Sequence, residues 1–259
     1  MSDWFDVEAE LLNYALEVTE GTYRSAQGTD RKDFEVFKAK LKEYLKIEQE
    51  KKGSKRISTA LTVLNNVICN GYFTNIYTFN YTDVNKLMGM FNISVNIPIT
   101  YMHGSLEKDN NIVLGIETDK RIHKDYKFLF KTNSRFYASN NLIERLDKAE
   151  EFVFFGHSIN GMDFPYFKDF FKRQAQFLND FQAKKITIFT YDEKSEERIR
   201  DNFREEGVNL RDLMSLNELT FIETRRLDEG DEHEEEKFDM FLTHLQEGSK
   251  GLEDQMVRR

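Results

Sequence analysis

The chain has 259 residues and a mass of 30.8 kDa, enough for one large α/β domain or two small ones. Its net charge of −9 at pH 7 and pI near 5.3 argue against a nucleic-acid-binding protein, because contact with duplex phosphates requires a basic face. The single cysteine, the lack of an apolar stretch near the roughly 20 residues of a membrane span, and an acidic N-terminal segment predict a cytoplasmic protein without membrane contact.

Helical periodicity dominates residues 1–70. Apolar residues recur at helical spacing in three segments: Val7, Leu11, Leu12 and Ala15; Phe37, Leu41 and Leu45; and Ile57, Leu61, Leu64 and Ile68. Ser54 is a candidate N-cap for the third segment. The N-terminal third is therefore predicted to be helical.

From Tyr72 onward the pattern changes to short apolar runs bounded by polar turns. The predicted strands are 75–79, 97–102, 111–116, 151–155, 185–191 and 218–223, and the predicted helices are 134–148, 164–182 and 193–206. Strands that alternate with helices predict an α/β fold with a doubly wound, mostly parallel, Rossmann-like sheet.

The C-terminal part begins with an acidic run. Residues 228–236 read DEGDEHEEE, which predicts a solvated linker into a short amphipathic closing helix that ends near residue 247. Residues 248–259 are predicted to form a flexible tail. Together with the helical portion 1–70 and the sheet-bearing portion 71–227, these boundaries predict a single α/β domain over residues 1–247.

Three strand ends are unusual because they are polar and compact. They read TFNYT around Asn80, MHGS at 102–105, and FFGHSINGMD at 154–163. In an open parallel sheet the carboxyl ends of the strands share one edge, where ligands bind. We therefore expect these three loops to line one crevice.

His103 and Asn80 are the candidate catalytic residues of this crevice. The imidazole of His103 can accept a proton near neutral pH, and the adjacent Gly104 lets a ligand or backbone approach closely. A lone histidine is more often a buried structural residue. The amide of Asn80 is either a turn stabiliser or a ligand contact.

The loop that contains Gly156, His157 and Ser158 follows the most apolar strand, and Asp163 precedes the next helix. A glycine turn that leads into a helix presents backbone N–H groups to a phosphate or ribose oxygen. The alternative is an ordinary turn in which Asp163 caps the helix.

The same loop also supports a serine hydrolase. GHSIN is close to the G-x-S-x-G nucleophile elbow, and Ser158, Asp192 and either His233 or His244 follow the chain order of α/β-hydrolase triads. The fifth elbow position is Asn160 instead of glycine. This alternative is therefore ranked second.

The ordered set TFNYT, HGS, NIVLGI and FFGHSINGMDFPYF, together with DWFDVEAEL at 3–11, resembles the AbiH family of bacteriophage abortive-infection proteins. That family resembles sirtuin-type NAD-binding domains. The resemblance implies an antiphage bacterial protein that cleaves the nicotinamide glycosidic bond of NAD, and it assigns no metal.

The resemblance also implies roles for individual residues. Asn80 would orient the nicotinamide ribose, and His103 would act as general base or ribose contact. Gly156, Ser158 and Asp163 match the family's loop on the adenosine side, and the bordering Gly104 and His157 complete the predicted nucleotide site.

One segment of the family pattern has no counterpart here. Family members begin with an apolar strand and a Gly-Asn-Gly-Phe-Asp type loop for the pyrophosphate, whereas Met1 lies in the helix that should follow, with no G-x-G nearby. A non-catalytic nucleotide-sensing or protein-interaction module is therefore a third hypothesis. The expected partners are a small nucleotide and either a second copy of the chain or a phage-derived trigger protein.

Overall fold

The computed structural model describes residues 4–21, 27–52, 59–69, 71–107, 111–137, 142–159, 163–178 and 180–257. These residues fall into two compact units. Unit 1 takes its described residues from Met1–Arg56 and Asn75–Ser139, and unit 2 takes its described residues from Ile57–Thr74 and Asn140–Arg259. The prediction of one domain over residues 1–247 stays a prediction.

The described residues contain both helices and strands. The helices are α1 Trp4–Thr19, α2 Gln27–Lys52, α3 Thr59–Cys69, α4 Val84–Gly89, α5 Leu142–Lys148, α6 Pro165–Gln174, α7 Glu193–Glu205, α8 Leu210–Leu216, α9 Thr224–Glu229 and α10 Glu232–Val257. The strands are β1 Ile76–Thr78, β2 Ile99–Tyr101, β3 Glu151–Phe155, β4 Lys185–Thr190 and β5 Glu218–Glu223. Two 3₁₀ helices span Lys124–Leu129 and Lys131–Asn133.

Unit 1 contains a short parallel sheet of β1 and β2. The two strands pair in register from Ile76 opposite Ile99 to Thr78 opposite Tyr101. An ion pair links α1 to the second 3₁₀ helix of the same unit, because Nζ of the fully buried Lys131 lies 2.8 Å from a carboxylate oxygen of Glu8.

Unit 2 contains a three-stranded parallel sheet in the order β3-β4-β5. One face packs against α3 and α10, where Phe189 and Ile222 meet Val63, Phe241 and Leu245 in one apolar cluster. Helix α6 connects β3 to β4, and helices α7 and α8 connect β4 to β5. Parallel strands require crossover connections of this kind.

The opposite face of this sheet packs against aromatic side chains of α6. Phe152 contacts Phe170 with ring centroids 4.8 Å apart, and Phe154 contacts Phe167 at 5.4 Å and Phe171 at 5.8 Å. Phe171 in turn contacts Phe203 of α7 at 4.6 Å. Strands buried on both faces explain why their sequences are nearly continuous apolar runs.

The α/β class and the parallel pairing of the strands are confirmed, and five of the six predicted strands occur. The strands form two separate short sheets within the described residues. The finer prediction, one doubly wound Rossmann-like or sirtuin-like sheet behind a helical N-terminal third, stays a prediction. The candidate cap Ser54 and the apolar Ile57 lie outside the described residues.

The predicted strand 111–116 is wrong. This segment makes only two isolated bridges, Gly104 with Ile112 and Ile116 with Phe130. Residues 112–116 are nevertheless buried, and a Cβ on Gly115 would lie 2.1 Å from the carbonyl oxygen of Leu129. The run is apolar because it is packed inside unit 1. Such burial does not require hydrogen-bonded pairing with neighbouring strands.

The predicted acidic linker 228–236 is helical over most of its length. Helix α10 begins at Glu232, and Asp231 caps it by accepting hydrogen bonds from the backbone N–H groups of His233 and Glu234, each at 3.1 Å. Carboxylates in the first turn of a helix are favoured by its positive end. Helix α10 continues to Val257, through most of the segment expected to be a tail.

Candidate functional site

The ends of β1 and β2 lie side by side in unit 1. The backbone N–H of Met102 donates to the carbonyl of Thr78 at 2.9 Å, one residue beyond the last strand pair. The N–H of Leu106 donates to the carbonyl of Tyr81, also at 2.9 Å. These bonds hold segment 78–81 next to segment 102–106. Asn80 and His103 therefore follow the carboxyl ends of neighbouring parallel strands.

Asn80 lies in a small turn at the surface. Its backbone N–H donates to the hydroxyl of Thr78 at 3.1 Å, and that hydroxyl donates to its carbonyl at 3.4 Å. The turn is thus stabilised by Thr78 and the Asn80 backbone. The Asn80 side chain is exposed and makes no hydrogen bond to the part of the chain that the structure describes.

His103 is buried immediately beneath this turn. Only 5% of its surface is exposed, and its ring packs edge-on against Phe79 with centroids 5.5 Å apart. Its carbonyl accepts a hydrogen bond from Val113 N–H at 2.6 Å. The imidazole is thus fixed next to the residue that precedes Asn80.

Gly104 has a steric role in this arrangement. Its φ is +72°, and a Cβ at this position would lie 1.9 Å from the backbone oxygen of Asn111. The sequence predicts that a ligand or the backbone approaches Gly104 closely, and in the structure it is the backbone of Asn111 that does so. Gly104 allows segment 111–113 to pack against the His103 turn.

Sequence reasoning did not single out Glu107, which organises the entrance to α4. Its Oε1 accepts hydrogen bonds from the hydroxyl of Tyr101 at 2.9 Å and from the amide of Asn85 at 3.1 Å. Burial, followed by this hydrogen bond, raises the pKa of Tyr101 above its ordinary value, so its hydroxyl remains a donor. No motif marks Glu107, because its role depends on distant partners.

The second group of candidate residues belongs to unit 2, where Gly156, His157 and Ser158 follow β3. Gly156 adopts φ +61° and is exposed. His157 accepts a hydrogen bond at Nδ1 from Ile159 N–H at 2.9 Å, and its ring packs edge-on against Phe167. Ser158 is exposed. The histidine thus stabilises the turn that follows the strand.

Asp163 lies close to His157. Its Oδ2 is 3.7 Å from Nε2 of His157, which is too long for a direct hydrogen bond. The N-cap residue of α6 is Phe164, which makes no side-chain capping bond. The two side chains thus face one another next to the turn. Convergence of this group with Asn80 and His103 stays a prediction.

The geometry of unit 2 argues against a hydrolase triad that uses Ser158 and His244. Nε2 of His244 lies 2.8 Å from Glu151, the first residue of β3. Ser158 instead follows the opposite end of this strand, three residues after Phe155. Asp192 caps α7 by accepting from Ser195 N–H at 2.9 Å. The positive φ angles of the turn belong to Gly156 and Ile159, whereas a nucleophile elbow strains the serine itself.

The fold and the strand-end residues define an α/β protein with polar loops after its parallel strands. The sequence model of one family, described as Bacteriophage abortive infection AbiH, matches residues 1–188. The match spans more than half of the chain, which therefore belongs to the AbiH family. No curated protein and no solved structure matches the chain.

Metal-binding clusters and membrane spans are both absent from the described residues. These residues contain no group of three or more His, Cys, Asp or Glu side chains placed to hold a metal ion. None of their helices combines the length and apolar character required to cross a bilayer.

Proposed function

We propose that this AbiH protein acts against phage by hydrolysing the nicotinamide glycosidic bond of NAD at the ends of β1 and β2, within a sirtuin-like fold. Family membership supports a role in phage abortive infection. Loss of cytoplasmic NAD would halt the metabolism of an infected cell. A phage-derived trigger protein or self-association would restrict the activity to infection.

One observation carries the proposal. Asn80 and His103 are 23 positions apart in sequence, yet they follow adjacent strands that main-chain hydrogen bonds hold together beyond the strand ends. An exposed amide with an open side chain lies beside a buried imidazole. An amide can orient a ribose through its hydroxyl groups, and an imidazole can accept a proton.

The proposed reaction requires no covalent intermediate. The bond between ribose C1′ and the nicotinamide nitrogen breaks, and neutral nicotinamide leaves with the bonding electron pair. Water adds to the resulting oxocarbenium-like carbon, and His103 accepts the proton that the water loses. The products are nicotinamide, ADP-ribose and a proton. Such a mechanism depends on orientation of the ribose, which Asn80 would provide, more than on a strong nucleophile.

The test measures release of nicotinamide from NAD by the purified protein and two variants. We expect Asn80→Ala and His103→Gln each to reduce the rate at least about 100-fold, the lower range for loss of an acid-base or orienting group. Asn96→Ala is the matched control, since Asn96 is an exposed asparagine in the same unit. Turnover that is indifferent to both site substitutions would contradict the assignment.

Controls separate the loss of chemistry from the loss of folding. His103 is buried, so the melting temperature of His103→Gln is measured alongside its rate. Ser158→Ala is measured in the same assay. Because Ser158 is predicted to contact the adenosine side of NAD and not the reacting atoms, we expect this variant to raise KM and to leave kcat unchanged. Complete loss of activity in Ser158→Ala alone would favour the hydrolase alternative.

A second candidate function is nucleotide binding without turnover. The specific observation is the burial of His103, because a base with only 5% of its surface exposed receives water only through a bound substrate or a conformational change. This function predicts that NAD and ADP-ribose raise the melting temperature without release of nicotinamide. Asn80→Ala would remove that shift.

A further inference from the structure

A basic pocket lies in unit 1, in a chain whose net charge is −9. Its volume is about 760 Å³, within the usual range for small-molecule sites. The pocket is lined by one carboxylate, Asp119, and by four basic side chains: Lys120, Arg121, Lys124 and Lys127. Asn80 and His103 are not among its lining residues.

The single carboxylate neutralises only one of these cations. Nη2 of Arg121 lies 2.6 Å from Oδ2 of Asp119, and hydrogen bonds from Arg121 lower the pKa of the Asp119 carboxyl. Within the parts of the chain that the structure describes, Lys120, Lys124 and Lys127 form no ion pair. Three lysine ammonium groups around the pocket therefore have no carboxylate within ion-pairing distance among the described residues.

Local structure brings two of these lysines onto one side of a helix. Lys124 and Lys127 are three residues apart in the 3₁₀ helix Lys124–Leu129, in which side chains at positions i and i+3 eclipse one another. Their like charges repel each other when no anion is present. A ligand that carries several negative charges would relieve this repulsion.

The remaining lining provides hydrogen-bonding groups and a fixed wall. The backbone N–H of His123 donates to the hydroxyl of Thr19 at 3.0 Å, which ties the loop to α1. The hydroxyls of Thr118 and Thr132 lie 3.4 Å apart. Ile122 and Phe130 are buried and supply an apolar surface. Charged, polar and apolar groups in this combination suit a phosphorylated compound of nucleotide size.

We infer that this pocket binds a small ligand that carries a diphosphate or triphosphate group. Ammonium groups bind phosphate as point charges, and several together favour a ligand with more than one phosphate. A pocket of this volume fits a small molecule better than a nucleic-acid duplex. The inference does not rest on NAD hydrolysis, since the pocket and the strand-end residues are separate sets.

The test is isothermal titration calorimetry of the full chain with pyrophosphate, ADP and adenosine. We expect pyrophosphate and ADP to bind and adenosine not to bind. The double variant Lys124→Gln/Lys127→Gln should weaken both affinities at least tenfold. The matched control is Lys32→Gln/Lys194→Gln, which removes the same charge from exposed lysines elsewhere and should change each affinity less than twofold.

Salt and site variants complete the design. The affinity of the wild type should fall as salt rises, and this dependence should be shallower in Lys124→Gln/Lys127→Gln. Asn80→Ala should bind pyrophosphate and ADP as the wild type does, whatever its effect on NAD. Equal weakening in the two double variants, binding of adenosine as tight as that of ADP, or absence of binding by pyrophosphate and ADP would each overturn the inference.

Discussion

At the scale of single residues, two glycines next to the candidate site residues have different reasons to be glycine. Gly104 has φ +72° and no room for a side chain, because a Cβ would lie 1.9 Å from the Asn111 oxygen. Gly156 has φ +61°, but no atom of the described residues lies within 4 Å of the position that its Cβ would occupy. Only Gly104 is therefore required by packing as well as by backbone conformation.

This difference predicts unequal effects of substitution by alanine. Gly104→Ala combines a backbone clash with a left-handed conformation and should lower the free energy of unfolding by more than about 3 kcal/mol. Gly156→Ala carries only the conformational cost, about 1 kcal/mol. Urea denaturation of both variants and the wild type measures the difference. Equal losses would contradict the structural role assigned to Gly104.

The sequence predicted which strand ends carry polar residues but not the surroundings of each side chain. Asn80 and His103 were found because each follows an apolar run at a predictable strand end. The exposure of Asn80 and the burial of His103 depend on segments 111–113 and 78–81, which no local pattern specifies. The basic pocket had a local signal, since KRIHKDYK at 120–127 concentrates cations in an acidic chain.

At the scale of elements, a polar cluster connects β3, α10 and the segment after α3. The hydroxyl of Tyr72 donates to Oε2 of Glu151 at 2.8 Å, and Nε2 of His244 lies 2.8 Å from the same oxygen. Burial, followed by the hydrogen bond to Glu151, raises the pKa of Tyr72 to about 12. The cluster therefore stabilises unit 2 through a protonated phenol.

This pKa predicts an alkaline loss of stability. The folded state holds the Tyr72 proton until about pH 12, whereas an unfolded tyrosine releases it near pH 10. The contribution is therefore present below pH 10 and is lost as the pH rises toward 12. The phenol is partly solvated, and solvent weakens the effect. We therefore expect the free energy of unfolding to fall by roughly 1 kcal/mol between pH 9 and pH 11.

Urea denaturation at pH 9 and pH 11 measures this loss. Tyr72→Phe should be less stable than the wild type at pH 9, and the difference should shrink at pH 11. Tyr191→Phe is the matched control, because Tyr191 is 65% exposed in the same unit and its removal should leave the pH dependence unchanged. An equal fall in the free energy of unfolding of the wild type and Tyr72→Phe between pH 9 and pH 11 would contradict the role assigned to Tyr72.

Period and composition were sufficient to predict most elements. The predicted strands 151–155 and 218–223 coincide with β3 and β5, because each is a short apolar run buried by helices. The run 111–116 has the same composition but is buried without a ladder. The prediction of a linker over the acidic run 228–236 failed for a different reason. Asp231 caps a helix there, and the acidic residues that follow it form the first turn of that helix.

At the scale of the whole molecule, the α/β class was predictable and the grouping of the strands was not. Alternating helices and apolar runs require parallel strands, and both sheets are parallel. Which strands pair depends on interactions between distant residues. Helix α3 illustrates the point, because its sequence continues the helical N-terminal third, whereas its Val63 packs in the core of unit 2.

The central claim is that the ends of β1 and β2 form the nucleotide site. The most direct measurement is a crystal structure of the protein with ADP-ribose, the product that retains the ribose. We expect density for a ribose within hydrogen-bonding distance of the Asn80 amide, beside His103. Ribose density that contacts neither residue, or no density at saturating ADP-ribose, would contradict it.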